Sequence, residues 1–370
     1  WISDKTRYAC DGLKNQRLDT PYFKNKNKFE KISWKEANLK IFDKISNTSS
    51  EKIAGITGDM INMEALFAIK EFFEKTIKSK NLDSRSENYY VNSSNRSNYI
   101  FNSQITGIEE TDLIILIGTN PRYEATILNS RIRKAYLNNN TDIFSIGEVG
   151  DLTYPYVALE NSTKVINEIV NNKHKLSDLI KKSQKPIIIL GQSLLKMKSA
   201  SYIFEELKKY LRTNNKINDD WNALNVISNN ASTVGSYDLE LFSSKNGENE
   251  TLKKIKKNEF DVIFLFGQEN LKFKKKNEFI IYIGSHGDRG AEIADIILPS
   301  AAYTEQEGYY TNLEGKMQKA YNASYPPGEA KEDWQIINEL AASLKRKNLY
   351  DNKEALVNSM INFLNTHKDK

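Results

Sequence analysis

The sequence predicts an α/β protein built on doubly wound parallel sheets. Short apolar runs alternate with helical patterns along most of the chain, the signature of parallel α/β architecture. Several runs, such as Leu113 to Ile117 and Ile187 to Leu190, are apolar on both faces, as strands buried in the middle of a parallel sheet are. Run after run also ends in glycine: Gly118, Gly147, Gly191, Gly267 and Gly284.

The elements follow in order. Trp1 to Lys31 is polar, lacks long periodicity and reads as an ordered lead-in. Lys52 to Ile56 predicts a strand, followed by Gly58 and Asp59. Met60 to Ile77 then repeats Leu66, Ile69, Phe73 and Ile77 at helical spacing. Asp112 to Ile117 is a strand leaving through Gly118-Thr119-Asn120-Pro121, with a helix opening near Arg122. Asp142 to Ile146 is another. Lys185-Pro186 opens the strand Ile187 to Leu190, and a helix runs from about Ser199 to Leu211. Asp261 to Phe266, Glu278 to Ile283 and Ala294 to Leu298 are strands closed by Gly267, Gly284 and Pro299. Two helices finish the chain, Asp333 to Lys345 and Lys353 to Leu364.

In an open α/β sheet the carboxyl ends of the strands form the ligand crevice. Glycine there lets the backbone turn sharply and approach a ligand. The plainer reading is that glycine is simply an easy way out of a strand.

Composition narrows the function classes. Hydrophobic residues at 39% and charged residues at 27% fit a globular protein with sizeable cores. No apolar run approaches the ~18 residues of a membrane-spanning helix. The net charge of +5 is spread over many lysines. The short run Lys272 to Lys276 reads as solvated surface, since no aromatic–basic RNA-binding signature accompanies it. Cys10 is the single cysteine, which excludes a disulfide framework and an iron–sulfur cluster held by this chain alone. The three histidines, His174, His286 and His367, show no metal-ligand spacing. Richness in Lys, Asn and Ile fits an AT-rich coding genome, as in many organelles. The opening Trp1-Ile2-Ser3-Asp4 has no methionine or targeting signal and reads as the middle of a longer design.

Ordered blocks add specificity. They begin with Trp1 to Lys14, then Tyr99-Ile100-Phe101-Asn102 and Gly107 to Asp112. Gly118-Thr119-Asn120-Pro121-Arg122-Tyr123-Glu124-Ala125, Arg131 to Lys134 and Asp151 to Tyr154 follow. The last are His286-Gly287-Asp288, Ala294 to Pro299, Ala301 to Glu305, Asn312-Leu313-Glu314-Gly315 and Glu332-Asp333-Trp334. In this order the chain resembles the molybdopterin-oxidoreductase-like region of the large iron–sulfur subunit of respiratory complex I, NADH:ubiquinone oxidoreductase. The lead-in and the Gly-Thr-Asn-Pro-Arg block are those of the complex I subunit. The stretch from Ala294 to Gly315 is shared with true molybdopterin enzymes.

The resemblance implies a lead-in over residues 1–28 that docks to a cluster-bearing part. It implies a discontinuous α/β subdomain over 29–88 plus 185–347, an inserted α/β subdomain over 89–184, and a C-terminal helix over 348–370 on the outside. It implies a non-catalytic structural domain, without cofactor or metal, in the matrix-side arm of complex I at the mitochondrial inner membrane. The iron–sulfur clusters would sit on the N-terminal part of the same subunit, expected as a separate chain, with other peripheral-arm subunits as neighbours and neither nucleic acid nor membrane span. Trp1, Arg7, Tyr8, Asp11 and Arg17 are the expected partner interface. Gly118, Asn120, Arg122, Gly191, Gly284 and His286 would line a relic anion or pterin cleft.

The stretch that ligates molybdenum in related enzymes matches Ser84 to Asn98, which offers Ser86, Ser93, Ser94 and Ser97 but no cysteine. Serines are also ordinary in polar loops. His286 could shuttle a proton or simply bond loop backbone, and Asp288 and Arg289 read as a cap or ion pair. Tyr303, Glu305, Tyr309 and Tyr310 mimic an active-site edge; the tyrosines are expected to fill the space of a pterin. One alternative is a fragment of an active molybdopterin-dependent oxidoreductase. Another is a Rossmann nucleotide binder, against which the spacing of Gly284-Ser285-His286-Gly287 speaks.

Overall fold

The computed structural model describes residues 2–243 and 248–367. The chain first lays down β1 (Tyr22–Asn25), β2 (Lys28–Lys31), β3 (Ile53–Thr57) and β4 (Leu82–Asp83). It then leaves to build β5 (Leu113–Ile117), β6 (Asp142–Ile146), β7 (Val157–Leu159), β8 (Pro186–Leu190) and β9 (Leu224–Val226). It returns with β10 (Val262–Phe266), β11 (Phe279–Gly284) and β12 (Ile296–Pro299). The hairpin β13 (Gly308–Thr311) and β14 (Met317–Ala320) and the helices Asp333–Lys345 and Lys353–Thr366 follow.

Two sheets result. The first has the order β2-β1-β12-β11-β10-β3-β4 and the second β7-β6-β5-β8-β9. The second is parallel throughout. The first is parallel from β12 to β4, with β1 and β2 added antiparallel at one edge. Both parallel sheets wind outward in two directions from an internal switch, between β3 and β10 and between β5 and β8. The fold class is therefore the doubly wound α/β class expected.

Period-two alternation lets one strand feed two cores. In β10, Phe264 and Phe266 stack at 5.5 Å and meet Phe73 edge-on at 5.9 and 6.1 Å. Ile263 and Leu265 pack on the other face with Leu252 and Ile255. The helix Met63–Glu71 starts where Asn62 accepts the Ala65 N–H at 2.9 Å. It continues through a π-helical turn, Phe72–Ile77, and is buried almost all round. Leu66, Ile69, Phe73 and Ile77 are buried as their spacing predicts. The C-terminal helix covers it, with Leu356 and Met360 buried and the Phe363 ring 5.6 Å from Phe67.

Two boundaries differ from the sequence expectation. Residues 186–226, expected in the discontinuous subdomain over 29–88 plus 185–347, belong to the second sheet, so the inserted unit does not stop at 184. β8 pairs with β5 along its whole length, from Leu113↔Pro186 to Ile117↔Leu190. A strand apolar on both faces fits the centre of either sheet, and the sequence does not say which. The lead-in over 1–28 is also more than a strip: Tyr22–Asn25 joins the first sheet against β12.

Candidate functional site

Each sheet's switch point is where a ligand is expected. In the second sheet Gly118 follows β5 at φ +61° and Gly191 follows β8. A Cβ on Gly191 would lie 2.3 Å from the Gly118 carbonyl oxygen, and the Gly191 N–H donates to the Ile117 carbonyl at 2.9 Å. The first sheet repeats the arrangement. The Gly58 N–H donates to the Phe266 carbonyl at 2.7 Å, and a Cβ on Gly58 would stand 1.8 Å from the Gly267 carbonyl oxygen. At both switches glycine brings loop against loop, backbone on backbone.

The turn after β5 is also filled from within. Asn120 accepts the Arg122 N–H, while the Glu124 carboxylate accepts the Asn120 N–H at 2.7 Å. That carboxylate occupies the position an anion would take at a helix start. Arg122 turns away to Asp151, donating to its carboxylate at 2.6 Å and its carbonyl at 2.8 Å.

His286 is held by the lead-in. Its Nε2 donates to the Leu13 carbonyl at 3.2 Å, and its Nδ1 lies 2.9 Å from Ser285 Oγ. Arg17 is turned inward to Glu305 and the Ser285 carbonyl. The Leu18 and Gly287 N–H groups complete the seal, donating to Ser285 and Gln16 carbonyls at 3.0 and 2.7 Å. Of the expected interface residues, Arg7, Tyr8 and Asp11 are exposed and Arg17 is engaged internally. Trp1 lies outside the described residues.

In the Ser84–Asn98 stretch, Ser94 and Ser97 bond the side chains of Asn92 and Asn95 in local turns, and Ser84 meets Ser236. At its head Arg85 and Asp83 form a fully buried pair, Nε to Oδ1 2.9 Å and NH2 to Oδ2 2.8 Å. Behind them the Tyr237 hydroxyl donates to Tyr89 at 2.7 Å, and the Tyr99 and Tyr237 rings meet edge-on at 5.4 Å. Burial pushes the Tyr89 phenol up to about 12. The recess left among Tyr89, Tyr90, Tyr99, Phe204 and Tyr237 is about 20 Å³. These tyrosines were missed as site residues because nothing in their spacing marks them. Of the tyrosines expected to fill the cleft, Tyr303 is exposed, and Tyr310 donates to the Met60 carbonyl at 3.0 Å. The Tyr309 N–H donates to the buried carboxylate of Glu64 at 2.8 Å.

Beyond β3, β10 and β11 stand Asp59, Glu269 and Asp288. Burial raises the pKa of each, and both neighbours raise that of Glu269 further. Asp288 caps the helix Arg289–Ile293 through the Gly290 and Ala291 N–H groups, the capping role its sequence position suggested. Three carboxylates crowding one strand-end crevice oppose a diphosphate. A pterin dinucleotide entering here would meet the closed switches and these carboxylates.

The family model for molybdopterin oxidoreductases matches residues 17–343. The chain belongs to the molybdopterin oxidoreductase family. Among curated members it is 40% identical to the G subunit of NADH-quinone oxidoreductase from Rickettsia bellii, over 96% of this chain and 51% of that protein. It is 38% identical to the NADH-ubiquinone oxidoreductase 75 kDa subunit of Reclinomonas americana, over 96% and 53%. Identity to the mitochondrial 78 kDa subunit of Candida albicans is also 38%, over 95% and 48%. The chain thus spans about half the length of these relatives. Among solved structures of the same fold, a chain of the formyltransferase/hydrolase complex of Methylorubrum extorquens superposes with TM-score 0.64 at 13% identity, over 88% of this chain and 99% of that one. Acetylene hydratase from Pelobacter acetylenicus gives 0.58 at 12% identity, over 100% and 68%.

Proposed function

We propose that this molybdopterin oxidoreductase-family chain is a non-catalytic structural domain of an NADH–quinone oxidoreductase. It corresponds to the latter part of the large iron–sulfur subunit. It positions and shields a cluster-bearing partner in the matrix-side arm of complex I at the mitochondrial inner membrane, and electrons pass through that partner. The observation that carries the reading is 40% identity over 96% of the chain to a subunit of that enzyme. Likeness to a mitochondrial 78 kDa subunit supports the compartment. The backbone-closed switch points support a role without cofactor. Cysteine scarcity supports placing the clusters on the partner. Among the described residues no helix is long and apolar enough to cross a membrane.

The family membership gives a second reading, a fragment of a molybdopterin-dependent oxidoreductase. Elemental analysis of the purified chain separates the two, together with a native gel of mitochondria probed for the chain. The first reading expects no stoichiometric molybdenum or iron and migration with complex I. About one molybdenum per chain, or absence from the complex I band, overturns it.

A further inference from the structure

Tyrosine rings stand out into solvent on a ledge beside the lead-in. Tyr321 is 73% exposed and Tyr325 86%, with Tyr303 at 38%. The ledge is held in place by backbone bonds. The Thr304 carbonyl accepts the Ala323 N–H at 2.8 Å and the Ser324 N–H at 3.1 Å, which joins Tyr303 to the loop carrying the other two rings. Lys319 lies over the Tyr321 ring, 5.1 Å from its centre.

The same ledge is fastened to the lead-in. Arg17 pairs with Glu305, two residues beyond Tyr303. The Glu329 N–H donates to the Asp19 carbonyl at 2.7 Å. Gly328, at φ +55°, lets the loop come so close that a Cβ there would stand 2.5 Å from that same oxygen. The exposed residues of the lead-in and the tyrosine ledge are therefore parts of one fixed surface.

We propose that Tyr303, Tyr321 and Tyr325 are aromatic anchors of a docking face continuous with the lead-in. Its occupant is the part of the large NADH–quinone oxidoreductase polypeptide that this chain does not span. The inference rests on the function proposed above and adds the place and the residues of contact. A tyrosine offers a flat apolar ring and a hydroxyl that needs an acceptor, so it favours a protein surface with carbonyl or carboxylate groups. Rings already held by a braced loop lose little freedom on docking, which favours affinity. The Rickettsia bellii relative is 51% covered by this chain, so nearly half of that protein remains to be placed against it.

The test is tyrosine nitration with tetranitromethane, read by peptide mass spectrometry. It is run on the isolated chain and on the chain within purified complex I. Tyr321 and Tyr325 are expected to be nitrated in the isolated chain and protected at least about tenfold in the complex. Tyr202, exposed on the helix Ala200–Thr213, is the internal standard for reagent strength. In parallel, Tyr321→Ser with Tyr325→Ser should lower incorporation at least about tenfold in competition with the parent chain, as loss of an anchor aromatic does. Its melting temperature should stay unchanged, since neither ring is buried. Recovery of the chain in the complex with both tyrosines fully reactive overturns this inference and leaves the proposed function standing. Absence of the chain from the complex overturns both. Protection that grows with the concentration of the isolated chain assigns the face to a second copy and also overturns the inference.

Discussion

Gly191 and Gly118 meet backbone to backbone: a Cβ on the first would stand 2.3 Å from the carbonyl oxygen of the second. They end adjacent strands at the point where the second sheet reverses its winding. A doubly wound fold keeps its ligand crevice there. Here the absence of side chains is used for close approach of the protein to itself. Gly58 and Gly267 repeat the relationship in the first sheet.

Gly191→Ala should therefore destabilise the chain by about 2–4 kcal/mol, because the three atoms in its way, the Gly118 carbonyl oxygen and the Cα and Cβ of buried Thr119, are main chain or fixed to it. Gly12→Ala, with nothing within 4 Å of its added Cβ, is the control and should change stability by less than about 0.5 kcal/mol. Urea unfolding of the two variants checks the pair. Equal stability would mean that the switch is soft enough to open.

Arg17→Ala should loosen the lead-in. The Arg17 and Glu305 side chains are 11% and 10% exposed, so removing the guanidinium leaves a shielded carboxylate whose one other partner among the described residues is the Ala302 N–H. A cost of about 2 kcal/mol is expected, between the values for surface and buried pairs. Local rather than global opening should follow, since the described residues between 2 and 16 are almost all exposed. Limited trypsin digestion reads it out: cleavage after Lys14 should accelerate in the variant, with the core fragment intact. Unchanged cleavage would place the anchor of the lead-in elsewhere.

The sequence announced the central strands well and their partners badly. β5, β8 and β10 were legible because burial on both faces leaves a continuous apolar run. The same property made β8 assignable to either sheet. The edge strands were not legible: in β2 all four residues are exposed, and β9 is three residues long. At the site, the glycines and the Glu124 charge were visible as residue types. Their use was not, because it depends on distances between segments far apart in the chain. Tyr89 and Tyr237 lie 148 positions apart, and nothing local marks them as a bonded pair.

A pH dependence follows from Asp333. It sits in the first turn of the helix Asp333–Lys345, where the dipole favours a carboxylate. Burial outweighs that and raises its pKa to about 6. The folded state thus holds the proton more tightly than the unfolded chain, whose aspartate titrates near 3.8. Stability from this group is fully present below pH ~4 and is lost as pH rises towards 6, about 3 kcal/mol in all. Asp333→Asn should remove that dependence, so the parent should lose stability relative to the variant between pH 4 and 7. Parallel stability–pH curves would show that Asp333 titrates normally.

The Asp83–Arg85 pair allows a sharper test, because both side chains are wholly buried. Arg85→Leu should cost about 3–5 kcal/mol, since it strands a carboxylate in the interior. Adding Asp83→Leu removes that stranded charge. It also deprives the Ser243 N–H and hydroxyl of their acceptor, which they now meet at 2.8 and 2.7 Å. A neutral unsatisfied donor costs less than an unpaired buried charge. The double variant should therefore be more stable than Arg85→Leu alone by at least about 1 kcal/mol, while remaining less stable than the parent. Chemical denaturation of all three proteins measures the difference. If the double variant is the weaker of the two, Asp83 stabilises the fold chiefly through Ser243, and the arginine is the dispensable partner.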